Sequence, residues 1–193
     1  MKNTVNTNLD LHTRVRIYVL YDVIKKLAAA FDFPKYIEET LSKGIKERQI
    51  LESVYAYYID EAGKAVGKVS LDIDWETHEM YAKTESGMKI TLREDIPLID
   101  QFANWAKDII NYVSEMQHSL GVKKVKVYYR YRKEIRNDPV KDKEADEFLK
   151  CSRSTKKYEF DPLKSTDFER KMSYVSDMLP ELKINIQSYT TSI

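Results

Sequence analysis

Apolar residues recur at steps of three and four from residue 13 onward, and that period is helical. Ile17, Leu20, Tyr21, Ile24, Leu27, Ala28 and Phe31 fall on one stripe, with Thr13 ahead of it as an N-cap. Pro34 predicts the opening of a second helix, because proline is accommodated in a first turn. Tyr36, Ile37 and Leu41 give that helix an apolar side, and Gly44 marks its expected end. The period changes at Ile50. The run ILESVYAYYID is rich in β-branched and aromatic residues and predicts a strand. A turn at Gly63 leads into KVSLDIDWE. There Val69, Leu71, Ile73 and Trp75 alternate with Lys68, Ser70, Asp72, Asp74 and Glu76, the pattern of a strand buried on one face. HEMYAKTESGMKITL extends this meander less regularly.

The helical period returns at Pro97 and holds to Gly121. Ile99, Phe102, Ala106, Ile109, Val113, Met116 and Leu120 form its stripe, widened by Trp105 and Tyr112. An amphipathic helix of this length is expected to lie across a sheet or in the middle of the fold, with Gly121 as its C-terminal cap. GVKKVKVYYRYRK follows as another strand. Val125, Val127, Tyr129 and Tyr131 form its apolar face; Lys124, Lys126, Tyr128, Arg130 and Arg132 form its basic face. Beyond Asn137-Asp138-Pro139 the pattern weakens to isolated apolar points such as Phe148, Leu149, Phe160 and Leu163. FERKMSYVSDML is expected as a short helix. LKINIQSY is expected as a last strand, with Leu182, Ile184 and Ile186 on one face. About forty residues of weak regularity are long for a compact domain, and such segments tend to be functional or disordered.

Composition narrows the function classes. The chain has 193 residues, 42% apolar and 33% charged, with a net charge of +1. That balance supports a closed core under a charged surface and argues against a globally basic nucleic-acid binder. A single cysteine, Cys151, excludes an internal disulfide and fits a cytoplasmic setting. No stretch approaches the roughly 20 apolar residues of a membrane span, and MKNTVNTNLDLHTR lacks the apolar core of a signal peptide.

Candidate chemistry is sparse. Asp72, Asp74, Glu76 and His78 would share a face if KVSLDIDWETHE were one long strand. A D-x-D strand holds metal in nucleotidyltransferases, but no glycine–serine phosphate turn precedes this one. Same-face positions also lie about 6.6–6.8 Å apart, so the strand alone cannot hold one ion. A solvated polar sheet face is the simpler expectation. His12, His78 and His118 match no metal spacing, and Cys151 has no histidine near it in sequence. The run 123–136 carries seven Lys or Arg against one Glu. These cations with Tyr128 could grip phosphates and stack a base, or they could simply guard an edge strand against aggregation. Residues 133–193 hold 12 basic and 12 acidic residues, so no basic arm supports direct nucleic-acid binding. A third possibility is that an exposed edge accepts a partner peptide as an added strand.

The order of elements is similar to that of the HORMA domain, especially the bacterial HORMA proteins of CBASS antiphage operons. The resemblance is carried by TRVRIYVLYDVIKKLAAAF, SVYAYYIDEAGKAVGKVSLDIDW, FANWAKDIINYVSEM and KVKVYYRY, and covers residues 9–132. It implies an α+β fold, with an antiparallel sheet packed against long helices. Residues 1–12 would be a flexible tail, 13–132 the core and 133–193 a mobile safety belt. It implies no enzyme activity and no cofactor. The strand Val125, Lys126, Val127, Tyr128, Tyr129, Arg130, Tyr131 would receive a closure-motif peptide or a partner protein's tail, in some operons that of a second HORMA protein. Leu182, Ile184 and Ile186 would dock the belt on the far side of the sheet. The closed form would bind and activate a cGAS/DncV-like nucleotidyltransferase. An AAA+ remodelling ATPase would reset it by gripping Met1, Lys2, Asn3 and Thr4. Two other readings stay open beside it: a nucleic-acid adaptor using the basic strand, and a metal-dependent nucleotidyl enzyme using Asp72 and Asp74.

Overall fold

The computed structural model describes residues 7–83, 95–150 and 168–189. Helix α1 runs Thr7–Ala30, and α2, Ile37–Leu41, continues into a π-helical turn at Ser42–Glu47. Strands β1 (Leu51–Asp60) and β2 (Ala65–Ile73) form a hairpin, followed by α3 (Trp75–Lys83) and the long α4 (Asp95–Ser119). Then come β3 (Val122–Tyr131), α5 (Lys133–Arg136), α6 (Pro139–Leu149), β4 (Arg170–Ser176) and β5 (Leu179–Ser188). The five strands make one sheet in the order β3-β1-β2-β5-β4, and every neighbouring pair is antiparallel.

One core joins the helices to one sheet face. Leu20, Ile24, Leu27 and Phe31 from α1 and Phe102, Ala106, Ile109, Val113 and Met116 from α4 are buried in it. They meet Val54, Ala56, Tyr58, Val69, Leu71, Val127, Tyr129, Tyr131, Ile184 and Ile186 from the strands. The Tyr58 hydroxyl, carried into this core, donates to Phe31 O at 2.7 Å. Gly121 ends α4 with φ +64, the left-handed conformation a glycine allows at a helix C-terminus.

Several expectations change. Helix α1 begins at Thr7, so Thr13 lies inside it, and residues 7–12, expected within the tail, are helical. Gly44 ends nothing: it lies within the π-helical turn, packed under the Leu51 side chain. The strand expected through Glu76 stops at Ile73. Asp74 accepts from Thr77 N at 3.1 Å, caps α3, and turns Trp75, Glu76 and His78 into helix. The meander after His78 is therefore helical to Lys83. The stretch after Asn137 is not irregular at its start. Asp138 accepts from Val140 N and Lys141 N, Pro139 fills the first turn, and α6 follows. FERKMSYVSDML contributes a strand, β4, because its residues pair along β5 from Arg170↔Ser188 to Ser176↔Leu179.

Candidate functional site: the β3 edge and the outer sheet face

Among the described residues, β3 pairs with β1 alone. Which of its backbone groups face outward follows from one bond. Arg132 N–H donates to Ile50 O at 2.8 Å, so Arg132 faces β1. Counting back by twos, Arg130, Tyr128, Lys126 and Lys124 also turn their N–H and C=O toward β1. Val125, Val127, Tyr129 and Tyr131 turn theirs away from it. The Tyr131 carbonyl is already occupied: Arg136 Nη1 donates to it at 3.0 Å and also pairs with Glu52. The Tyr131 hydroxyl donates to Asp146 Oδ1 at 2.7 Å. Helices α5 and α6 thus hold the C-terminal end of the strand.

Burial divides β3 in two. Val127, Tyr128 and Tyr129 are each 3% exposed and Tyr131 is 0%, whereas Lys123, Lys124 and Lys126 are exposed and Val122 and Val125 half-buried. The seven residues expected to form one ledge are therefore unequal. The stretch around Val125 is the open part.

The side chains of Lys124, Lys126, Tyr128 and Arg130 point to the sheet face away from the helices, which is not a solvated polar face. Tyr55, Tyr57, Tyr128 and Phe168 form a second buried cluster there. Tyr128 stacks on Tyr55 at 5.7 Å and meets Tyr57 edge-on at 5.8 Å. Lys68 lies over Tyr55 at 4.6 Å and Lys126 over Tyr128 at 5.6 Å. Beside them a cavity of about 170 Å³ is lined in part by Lys68, Arg130, Asp72, Asn185 and Gln187. Burial and the neighbouring Arg130 push the Lys68 ammonium down to about 8, against the opposing pull of Asp72. Asp72 itself accepts three hydrogen bonds. Ser53 and Ser70 donate to its Oδ1 at 2.6 and 2.5 Å, and Asn185 donates to Oδ2. That carboxylate cross-links β1, β2 and β5.

His78 completes a different assembly. Arg16 donates to both Glu181 oxygens at 2.6 Å, and His78 Nδ1 lies 2.9 Å from Glu181 Oε2. The three are 2%, 1% and 2% exposed for Arg16, Glu181 and His78, so α1, α3 and β5 are pinned together inside the protein. Burial alone would raise the Glu181 carboxyl, but the hydrogen bonds from His78 and Arg16 outweigh it and hold it below the usual range. Among the described residues, His78 Nε2 has no hydrogen-bond partner.

The acidic run thus splits into three places: Asp72 in the sheet ladder, Asp74 at a helix cap, His78 in the buried triad. Among the described residues, no group of three or more His, Cys, Asp or Glu is arranged to hold a metal ion. No described helix is long and apolar enough to cross a membrane. Leu182, Ile184 and Ile186 are buried in β5 and pair with Ile73, Leu71 and Val69 of β2. Met1, Lys2, Asn3, Thr4 and Cys151 lie outside the described residues. Arg16 and Glu181 carried no sequence expectation, and Lys68 was expected only on the polar face of β2. Arg16 had a visible signal, since it continues the i+4 row Leu20, Ile24, Ala28 toward the N-terminus. No protein-family model matches the chain, and no curated protein matches it.

Proposed function

We propose that the chain is a HORMA-type peptide-binding switch of a bacterial antiphage system, with no enzyme activity of its own. The observation that carries this reading is the placing of the two ends of the sheet. β3 has β1 as its one described neighbour, while the C-terminal β4–β5 hairpin docks at the opposite edge on β2. A peptide entering as a strand gains main-chain hydrogen bonds from the outward groups of β3, and alternate side chains give selectivity. The docked hairpin is the element whose position would distinguish two states of the switch. In the closed form it would present a surface to a cGAS/DncV-like nucleotidyltransferase, and an AAA+ ATPase would undo it from the N-terminus.

Proline separates strand addition from other modes of binding. Val125→Pro removes an outward N–H, and an edge strand tolerates proline there. Lys126→Pro removes a ladder donor to β1. Val125→Pro is expected to keep the fold by circular dichroism and lose capture of extended peptides from a displayed library. Capture undiminished by Val125→Pro would end the strand-addition reading. Downstream, a nucleotidyltransferase of this class should form product only with both the chain and its peptide present.

A further inference from the structure

We infer that the peptide accepted at the open half of β3 is acidic at every second residue and apolar between. This rests on the strand-addition reading above and specifies its ligand. An added strand alternates its side chains across the two sheet faces, as β3 does. On the outer face its residues would lie beside Lys124 and Lys126, which the strand pleat spaces about 6.6–6.8 Å apart. Arg130 is the next cation along that row, beyond Tyr128.

Among the described residues, no ion pair engages the cations on this row or the neighbouring Lys123, and Arg130 Nε is buried without a hydrogen-bond partner. Among the same residues, Asp32 lines a cavity with Lys123 and Lys124 without an ion pair to either, and three other carboxylates are hydrogen-bonded elsewhere. Asp72 is held by Ser53, Ser70 and Asn185, Glu52 by Arg136, and Asp60 caps the β1–β2 turn by accepting from Lys64 N at 2.9 Å. Acidic side chains two residues apart on the incoming strand match both the sign and the spacing. On the other face, the Val125 side chain packs against the main core, so the intervening residues meet an apolar neighbour. Single-stranded nucleic acid would also answer the positive charge. It offers no N–H and C=O ladder for the groups at Val125 and Val127, which is why a peptide is favoured.

Fluorescence anisotropy with the full chain tests this, using labelled (Glu-Val)₄, (Gln-Val)₄ and (Lys-Val)₄ peptides and an eight-nucleotide oligo-dT. Exposed ion pairs are individually weak, so two or three should favour the Glu peptide over the Gln peptide by about tenfold at low salt. The advantage should shrink as salt rises. Lys124→Glu with Lys126→Glu should reverse the order toward (Lys-Val)₄, and Val125→Pro should abolish binding of all three. Equal affinity for the Glu and Gln peptides overturns acid selection while leaving strand addition standing. Failure of every peptide removes the reading beneath it. Acidic-peptide binding that survives Val125→Pro, or oligo-dT binding in place of peptide binding, also overturns the inference.

Discussion

Glu181 carries a charge into a place where charge is costly, and two partners keep it there. Removing one member of a buried ion assembly leaves the others uncompensated, which typically costs about 3–5 kcal/mol. Glu181→Gln should therefore lower stability by that order in urea titrations, and Arg16→Met combined with Glu181→Leu should recover much of the loss. The carboxyl is held below its ordinary value of 4.5 in the folded protein. Its contribution is thus fully present above about 4.5 and is lost as pH falls through the folded value. The difference in melting temperature between wild type and Glu181→Gln should narrow as pH is taken from 7 to 3. Lys68 acts at the other end of the scale. Its folded value near 8 lies below the ordinary 10.5, so between about 8 and 10 the unfolded chain binds the extra proton and stability rises with pH. Tyr58, raised by burial, opposes this only above about 10, where unfolded tyrosines ionise. Melting curves at pH 8, 9 and 10 should climb for wild type and flatten for Lys68→Met.

At the scale of elements, Gly44 separates intrinsic propensity from packing. Glycine to alanine inside a helix ordinarily gains about 0.5–1 kcal/mol. Here an added Cβ would come within 2.6 Å of Leu51 Cγ and 2.7 Å of its Cδ1, and Leu51 is itself buried. Overpacking of that kind costs roughly 1–3 kcal/mol, so Gly44→Ala should destabilise the protein in a urea titration. The elements legible in the sequence were those with a long apolar period: α1, α4, and the strands β1, β2, β3 and β5. Those that escaped bury little. Of α6, only Ala145 and Leu149 are buried, too few to show a period; its Asp138-Pro139 start was the available signal. β4 is an edge strand, mostly exposed or half-buried, and lacks a clean alternation. The end of β2 was misjudged because Trp75 falls where a strand would place an apolar residue, while its indole instead donates from α3 to Leu51 O at 2.7 Å. The candidate site was legible as an alternating basic strand. Its division into an open and a buried half was not, because that depends on α5, α6 and Phe168 reaching it from outside.

For the molecule as a whole, the C-terminal hairpin is part of the core. Leu182, Ile184 and Ile186 bury side chains worth about 1.5–3 kcal/mol each, and β5 closes one edge of β2. A chain ending before residue 168 should lose cooperative thermal unfolding and bind a hydrophobic dye, because Arg16 loses its Glu181 partner and Val69, Leu71 and Ile73 lose their neighbours. Loss of peptide capture in such a truncation would report unfolding rather than the absence of a belt. Point changes along β3 therefore carry the functional test. Any detachment of the hairpin, as the proposed switch requires, also has to break the Arg16–Glu181 pair.

The partners in that pair stand 165 residues apart. During synthesis the first helix leaves the ribosome long before its counter-charge exists. Until residue 181 emerges, seating α1 against the sheet would strand a guanidinium in a low-dielectric interior. Completion of the fold must wait for the final strand, and nascent chains stalled short of it should remain open to protease along α1, becoming resistant together once the glutamate clears the exit tunnel.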